Sequence, residues 1–195
     1  MSDELRDKWN ARHGEAEGPG AAAEVLRENL HLLPTSGTAL DLACGLGANA
    51  LLLAEHGLAV CAWDLSEVAV GRLAATARQC RLAVAAAVRD VVAQPPAPET
   101  FDVIVVTHFL DRALCPALVA ALRPGGLLVY QTWTRTAVSQ GGPSNPDFRL
   151  ADNELRQLFA PLRLVLYREE RDLGDPAQGF RNQAMLIGMK PPVRG

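Results

Sequence analysis

Apolar positions along this chain change period twice, and each change marks a boundary between kinds of structure. Residues 3–13 and 21–33 carry helical spacing, the second segment stopping at Pro34 ahead of a Thr-Ser-Gly turn. From residue 38 onward, short continuous apolar runs alternate with amphipathic segments. Strand 38–43 leads to helix 48–56, closed by Gly57, and strand 58–63 leads to helix 67–79, opened by Ser66 as its N-cap. Strand 82–88 passes through Asp90 into a proline-rich loop at 95–98. Strand 101–107 precedes helix 112–122, which stops at Arg-Pro-Gly-Gly before strand 127–133. Strands that are apolar throughout, separated by helices, predict a doubly wound α/β fold with a mostly parallel sheet buried on both faces.

The last third breaks this rhythm. After a loop at 134–149 rich in Gly, Pro, Ser and Asn comes a short helix near 152–159, then two extended stretches, 162–170 and 181–189. The turn from Asp172 to Gly179 is too short for a crossover helix, so the two stretches should form an antiparallel hairpin that completes a seven-stranded sheet. The whole chain is expected to be one domain: a helical cap at 1–34, a cofactor-binding core at 35–134, and a substrate lid plus hairpin at 135–195.

Composition narrows the partners. Of 195 residues, 49% are apolar, enough for a sizeable core, and the net charge of -3 with scattered basic residues argues against a nucleic-acid footprint. Lys8 and Lys190 are the only lysines, so the positive charge is almost all arginine. Cys44, Cys61, Cys80 and Cys115 contain no C-x-x-C pair, so no metal is expected. No apolar run reaches about 18 residues and the N-terminus is charged, which predicts a cytoplasmic protein with reduced thiols, a monomer or homodimer without membrane partners.

The candidate chemistry lies where strands end. Residues 38–57 read as a buried strand, a glycine turn and a helix, with Asp41 embedded in the strand. Gly45 and Gly47 allow a ligand to approach the backbone, and the helix start offers unpaired N–H groups. Gly45, Gly47 and Ala50 also satisfy G-x-G-x-x-G/A, so a dinucleotide is compatible with this segment alone. In an open parallel sheet, ligands bind beyond the carboxyl ends of strands, where this chain places Asp41, Asp64, Asp90, Thr107, His108 and Trp133. Three carboxylates on one rim suit a ligand rich in donors and positive charge, such as a sulfonium nucleoside with an ammonium group, and repel a pyrophosphate. Asp41 either holds N–H groups of the turn or meets the ligand. Asp64 is a hydroxyl acceptor or a helix cap, although Ser66 already stands in the cap position. Asp90 is a ligand contact or a solvated loop residue, and Asp102 reads as a turn residue opening its strand.

Leu40-Asp41-Leu42-Ala43-Cys44-Gly45-Leu46-Gly47, Asp64, Asp90, Phe101-Asp102-Val103-Ile104-Val105 and Leu122-Arg123-Pro124-Gly125-Gly126-Leu127-Leu128 resemble the successive motifs of class I S-adenosylmethionine (SAM)-dependent methyltransferases, across about residues 36–134. The resemblance implies a Rossmann-like fold and SAM as cofactor, with Asp64 at the ribose hydroxyls, Asp90 and Val91 at the adenine and the Gly45 to Gly47 turn near the methionine moiety; Asp41, Ala43, Leu65 and Thr107 are further candidate cofactor contacts. Ala43 departs from the family, which has its first glycine there.

Trp9-Asn10-Ala11-Arg12-His13, Gln131-Thr132-Trp133-Thr134-Arg135 and Gly141-Gly142-Pro143-Ser144-Asn145-Pro146 further resemble the small TehB-like group related to tellurite-resistance methyltransferases. That likeness implies an N-terminal segment folded over the cofactor, with Trp9 and Arg12 lining the site; the alternative is an amphipathic helix whose Trp9 covers the core. It also implies a small-molecule acceptor, a thiol or chalcogen oxyanion among the candidates. His108 is the candidate general base, or else a histidine packed at a strand–helix junction. Tyr130 reads as core. Arg112, Arg135 and Arg149, with Trp133, are candidates to bind an anionic acceptor, and the 134–149 loop is a lid or a plain connection. The rival readings are an NAD(P)-dependent Rossmann oxidoreductase and a SAM-binding module without turnover.

Overall fold

The computed structural model describes residues 3–192. Its helices are α1 (Asp3–Glu15), α2 (Glu24–Arg27), α3 (Ala48–Glu55), α4 (Glu67–Cys80), α5 (Cys115–Ala121) and α6 (Glu154–Leu158). Its strands are β1 (Thr38–Leu42), β2 (Ala59–Asp64), β3 (Val84–Val88), β4 (Phe101–Thr107), β5 (Leu122–Trp133), β6 (Arg163–Arg168) and β7 (Gln183–Met189). They form one seven-stranded sheet in the order β3-β2-β1-β4-β5-β7-β6. β1 to β5 are parallel to one another, and β7 is inserted antiparallel between β5 and β6. The expected hairpin is therefore present, with its second strand placed inside its first.

Strand side chains sort by parity into two cores. Leu40, Leu42, Ile104, Val106, Leu128 and Tyr130 face α5 and α6, while Ala39, Val103, Val105 and Val129 face α2, α3 and α4 through Leu26, Leu53 and Leu73. Burial on both faces is why the central strands lack polar alternation. The chain leaves β1 toward β2 and β3 on one side, then returns to β4 on the other, so the topological switch point, where sheets of this kind take their ligands, lies at the C-terminal ends of β1 and β4.

Three expected elements differ. The helix expected at 21–33 is only α2 followed by a 3-10 turn at Leu30–Leu32. Asn29 breaks it by turning its Nδ2 back to the Val25 carbonyl at 2.9 Å, the local bonding by which Asn competes with a helix. The helix expected at 112–122 starts only at Cys115, because Asp111 accepts from the Leu114 N–H at 3.0 Å and holds a turn there. β5 begins earlier than residue 127: Leu122 pairs with Phe101, and the Pro-Gly-Gly segment is an irregularity before pairing resumes at Leu127 and Val103. Asp102 opens its strand at the far end from the switch point, where its Oδ2 accepts from Thr38 N and Arg123 Nη1, both at 2.7 Å. Among the described residues no helix is long and apolar enough to cross a membrane.

Candidate functional site

The turn after β1 is built around two acids. Asp41 is fully buried, and its Oδ2 accepts from the Ala50 N–H at 3.0 Å. The N-cap of α3 is Gly47, which has no side chain to offer, so the strand acid satisfies an N–H that a Ser or Asp cap would otherwise take. Its other oxygen, Oδ1, has no hydrogen-bond partner. Burial drives the Asp41 pKa up to about 7, against the Ala50 hydrogen bond and the nearby Asn49 amide and with help from the Asp64 charge. Asp64 at the end of β2 accepts from Gly45 N at 2.8 Å on one oxygen and from Ser66 N at 2.9 Å on the other. Each oxygen keeps a further lone pair. Ser66 takes the N-cap of α4, accepting from Ala69 N at 3.1 Å, and so leaves Asp64 out of that role.

Gly47 has φ +81, and a Cβ there would fall 2.4 Å from Leu73 of α4, so the turn and helix approach more closely than any side chain allows. Ala43, the departure from the family motif, has φ 55, a left-handed conformation that suits glycine. Asp90 Oδ1 accepts from Val92 and Ala93 N–H groups, both at 3.1 Å, and shapes the turn after β3, with Val91 buried beneath it and Leu65 half-buried after β2.

Helix α1 closes over this turn although it buries no residue. Polar contacts dock it instead. Asn10 Oδ1 accepts from Ser66 Oγ at 2.7 Å, and Arg72 Nη1 donates to the His13 and Ala16 carbonyls past the last turn of α1, where a cation is favoured. Trp9 is half-buried and stacks on His13 with ring centroids 5.7 Å apart, and the Arg12 guanidinium lies 5.3 Å from the Trp9 ring centre. Trp9 is not among the residues packed on either hydrophobic cluster of the described residues. His13 escaped the sequence reading: its Cε1 stands 3.2 Å from where a Cβ on Gly45 would be, directly over the glycine turn. Burial lowers its pKa, opposed by Asp64 and assisted by Arg12 and Arg72. The signal was available, because Asn10 and His13 lie three apart and so share one helix face.

The other wall comes from β4, β5 and β7. Thr107 accepts at Oγ1 from Asn49 Nδ2 at 2.9 Å, and Asn49 Oδ1 accepts from Ala23 N at 2.9 Å. His108 follows with φ 55, its ring 5.5 Å from that of Trp133 and its Nε2 3.2 Å from Gln183 Oε1. His108 is exposed as a residue, and partial desolvation of its ring together with the Arg12 charge lowers its pKa, with the Gln183 bond acting the other way. The low pKa keeps the ring neutral near pH 7. Tyr130 is core, its hydroxyl donating to the Phe109 carbonyl at 2.8 Å.

Two of the three arginines expected to meet an anionic acceptor are bonded within the protein. Arg112 donates to both oxygens of Glu154, at 2.6 and 3.0 Å, and to the Asp147 and Arg149 carbonyls. Arg149 donates to the carbonyls of Pro143, Thr134 and Gly141. A Gly- and Pro-rich loop makes few backbone bonds of its own, so its carbonyls need outside donors, and these two guanidinium groups supply them. Only Arg135 of the three stays exposed, with one long bond of 3.4 Å to the Pro146 carbonyl. Trp133 supports the loop from below: a Cβ on Gly142 would meet its indole at 2.6 Å. Among the described residues no group of three or more His, Cys, Asp or Glu could hold a metal ion.

Residues 39–126 match the family model of a methyltransferase domain. The chain is 31% identical to hemagglutinin 1 of Eikenella corrodens over 197 positions, covering 95% of the chain and 63% of that protein, so it spans under two thirds of that relative. Among solved structures, TehB from Haemophilus influenzae is similar with a TM-score of 0.68 at 22% identity, over 95% of this chain and 66% of that one. Geranyl diphosphate C-methyltransferase from Streptomyces coelicolor A3(2), solved with S-adenosyl-L-homocysteine, is similar with a TM-score of 0.67 at 17% identity, over 97% and 86%.

Asp41 has a folded pKa near 7 against 3.8 when unperturbed, so folding takes up a proton between those values and the stability it contributes declines as pH rises through that window, levelling above 7. Asp41→Asn should remove this slope; urea unfolding at intervals from pH 4 to 8 measures it, and parallel curves for the two proteins would show Asp41 ionised throughout. Ala43→Gly should relieve the left-handed strain, partly offset by the looser unfolded chain, for a net gain of up to about 1 kcal/mol or roughly 2–4 °C in Tm. A fall in Tm would place the strain elsewhere.

Proposed function

We propose that this chain, whose residues 39–126 match a methyltransferase-domain model and whose fold is that of TehB-like structures, transfers a methyl group from SAM to a small-molecule acceptor. The observation that carries the cofactor assignment is the acid pair at the glycine turn. Asp64 is tied to the Gly45 N–H yet keeps lone pairs for hydroxyl donors, and Asp41 is a buried carboxyl with one oxygen unpartnered. A positive charge brought to this turn favours the ionised form of Asp41. An ammonium-bearing, sulfonium-bearing nucleoside meets both demands, whereas a pyrophosphate would oppose them.

In this reading Asp64 and Leu65 hold the ribose, Asp90 and Val91 the adenine, and the Ala43 to Gly47 turn with Asp41 the methionine portion. Thr107, held by Asn49, closes the far side. Arg12 has no hydrogen bond or ion pair among the described residues, so its guanidinium is available to a carboxylate beyond its contact with Trp9. When bound, SAM supplies a methyl group already activated on a sulfonium. The leaving thioether is neutral, so no acid is required of the protein; its work is alignment and exclusion of water. Helix α1 and the arginine-braced 134–149 loop exclude water from two sides.

His108 accepts the proton of an acceptor that arrives protonated, as an alcohol or amine does; a thiolate or chalcogen oxyanion needs no base. Its lowered pKa keeps it neutral and able to do so. Trp133 and the exposed Arg135 face the acceptor, and soft or anionic small molecules are the class that a cationic, aromatic wall favours.

Calorimetry tests the cofactor. S-adenosylhomocysteine should bind and NAD should give no heat, and Asp64→Ala should weaken binding by about 1–3 kcal/mol through lost charge-assisted hydrogen bonds. Unchanged affinity in a folded variant removes Asp64 from the ribose. A screen of thiols, selenium and tellurium oxyanions, amines and carboxylic acids, read by S-adenosylhomocysteine release, identifies the acceptor. With a protonated acceptor, His108→Ala should lower turnover by about 10²-fold with cofactor affinity unchanged; full turnover makes His108 structural.

A further inference from the structure

We propose that Gln183, itself oriented by Gln131, is a positioning residue that fixes His108 in the Nε2–H tautomer and so presents Nδ1 as the basic nitrogen. The inference deepens the reading of His108 as the base and rests on it. The backbone N–H of Val25 in α2 can only donate. That N–H lies 2.8 Å from the buried Gln131 side chain, so the facing atom must be the carbonyl oxygen, Oε1. The orientation of Gln131 is thereby settled. Its Nε2 then donates across to β7, at 2.8 Å from Gln183, and the atom receiving that bond must be the Gln183 Oε1. His108 Nε2 sits 3.2 Å from the same oxygen. A carbonyl oxygen only accepts, so Nε2 carries the hydrogen, and a neutral imidazole with one N–H leaves its lone pair on Nδ1.

Two features make the relay more than a surface contact. Gln131 is only 4% exposed, so water cannot replace its partners and let the amide flip. Its backbone carbonyl also accepts the His108 N–H at 2.9 Å, so one residue holds both the backbone and, through Gln183, the ring of a histidine in a left-handed conformation. The charged group facing the ring is Arg12 from α1, while Gln131 and Trp133 on β5 and Gln183 on β7 bring no charge. Arg12 opposes a second proton on the ring. Gln183, as a neutral acceptor, lends the protonated ring modest support.

The test uses two variants of the full chain that must move in opposite directions. A base works deprotonated, so the acid limb of the pH–rate profile for a protonated acceptor follows the His108 pKa. Gln183→Glu keeps an acceptor for both Gln131 and His108 and adds a negative charge. Its acid limb should move up by about one pH unit or more, with the high-pH plateau retained. Gln183→Leu removes the acceptor; its limb should move down and its plateau fall by about tenfold, with KM for SAM unchanged. Nitrogen-15 NMR of the imidazoles reads the tautomer directly and needs no acceptor, with His108 assigned by its loss in His108→Ala. A dominant Nδ1–H tautomer in the unmodified protein, or limbs that do not separate, overturns the proposal. If the tautomer is Nε2–H but His108→Ala keeps full turnover, the fault lies in the reading of His108 as base, and the role of Gln183 in catalysis falls with it.

Discussion

The hydrogen bond from Gly45 N to Asp64 joins the turn after β1 to the end of β2, and most of the site hangs on it. It uses a carboxylate to hold a turn whose Gly45 and Gly47 have positive φ, while the second oxygen of Asp64 anchors the start of α4 through Ser66 N. One buried acid thus fixes the relative positions of two strand ends and a helix. The cost is electrostatic. Asp41 lies in the adjacent strand, and its charge would have to coexist with that of Asp64 in a poorly solvated space, which is one reason its carboxyl is driven toward neutrality. A site with two acids and too few donors is poised for a cationic guest.

Most of this frame was legible from residue patterns because it depends on short-range rules. Continuous apolar runs at 38–43, 58–63 and 101–107 could be buried only from both faces, and the short link before residue 181 could return the chain only antiparallel. Ser66 as cap and Asp102 as an opening turn residue followed from position alone. The misjudged elements share a cause: side chains that bond their own backbone. Asn29 and Asp111 each divert a segment with helical spacing, and nothing in apolar periodicity registers such a bond.

The site was less legible for a different reason. Arg112 and Arg149 carry the residue type expected of an anion clamp, but a guanidinium serves carbonyl oxygens as well as carboxylates, and the 134–149 loop has an excess of carbonyls without backbone donors. Which acceptor wins is a matter of tertiary proximity. His13 shows the reverse case, in which a residue inside a quoted motif reaches the glycine turn only because Arg72 and Asn10 dock a helix that has no buried face.

Side-chain amides do much of the long-range wiring here, and their chemistry explains why. Asn10 links α1 to α4, Asn49 links α3 to β4 and to the segment before α2, Gln131 links β5 to α2 and β7, and Asn182 accepts from Val138 N at 2.7 Å inside the 134–149 loop. An amide both donates and accepts, carries no charge, and so can be buried at the site without disturbing its acid-dominated potential. A chain of such groups also transmits direction: once one end is pinned by a backbone N–H, every later donor and acceptor is determined. Through that polarity the fold imposes a protonation state on a histidine at the end of β4, and an architecture shared with distant relatives acquires a chemically specific wall.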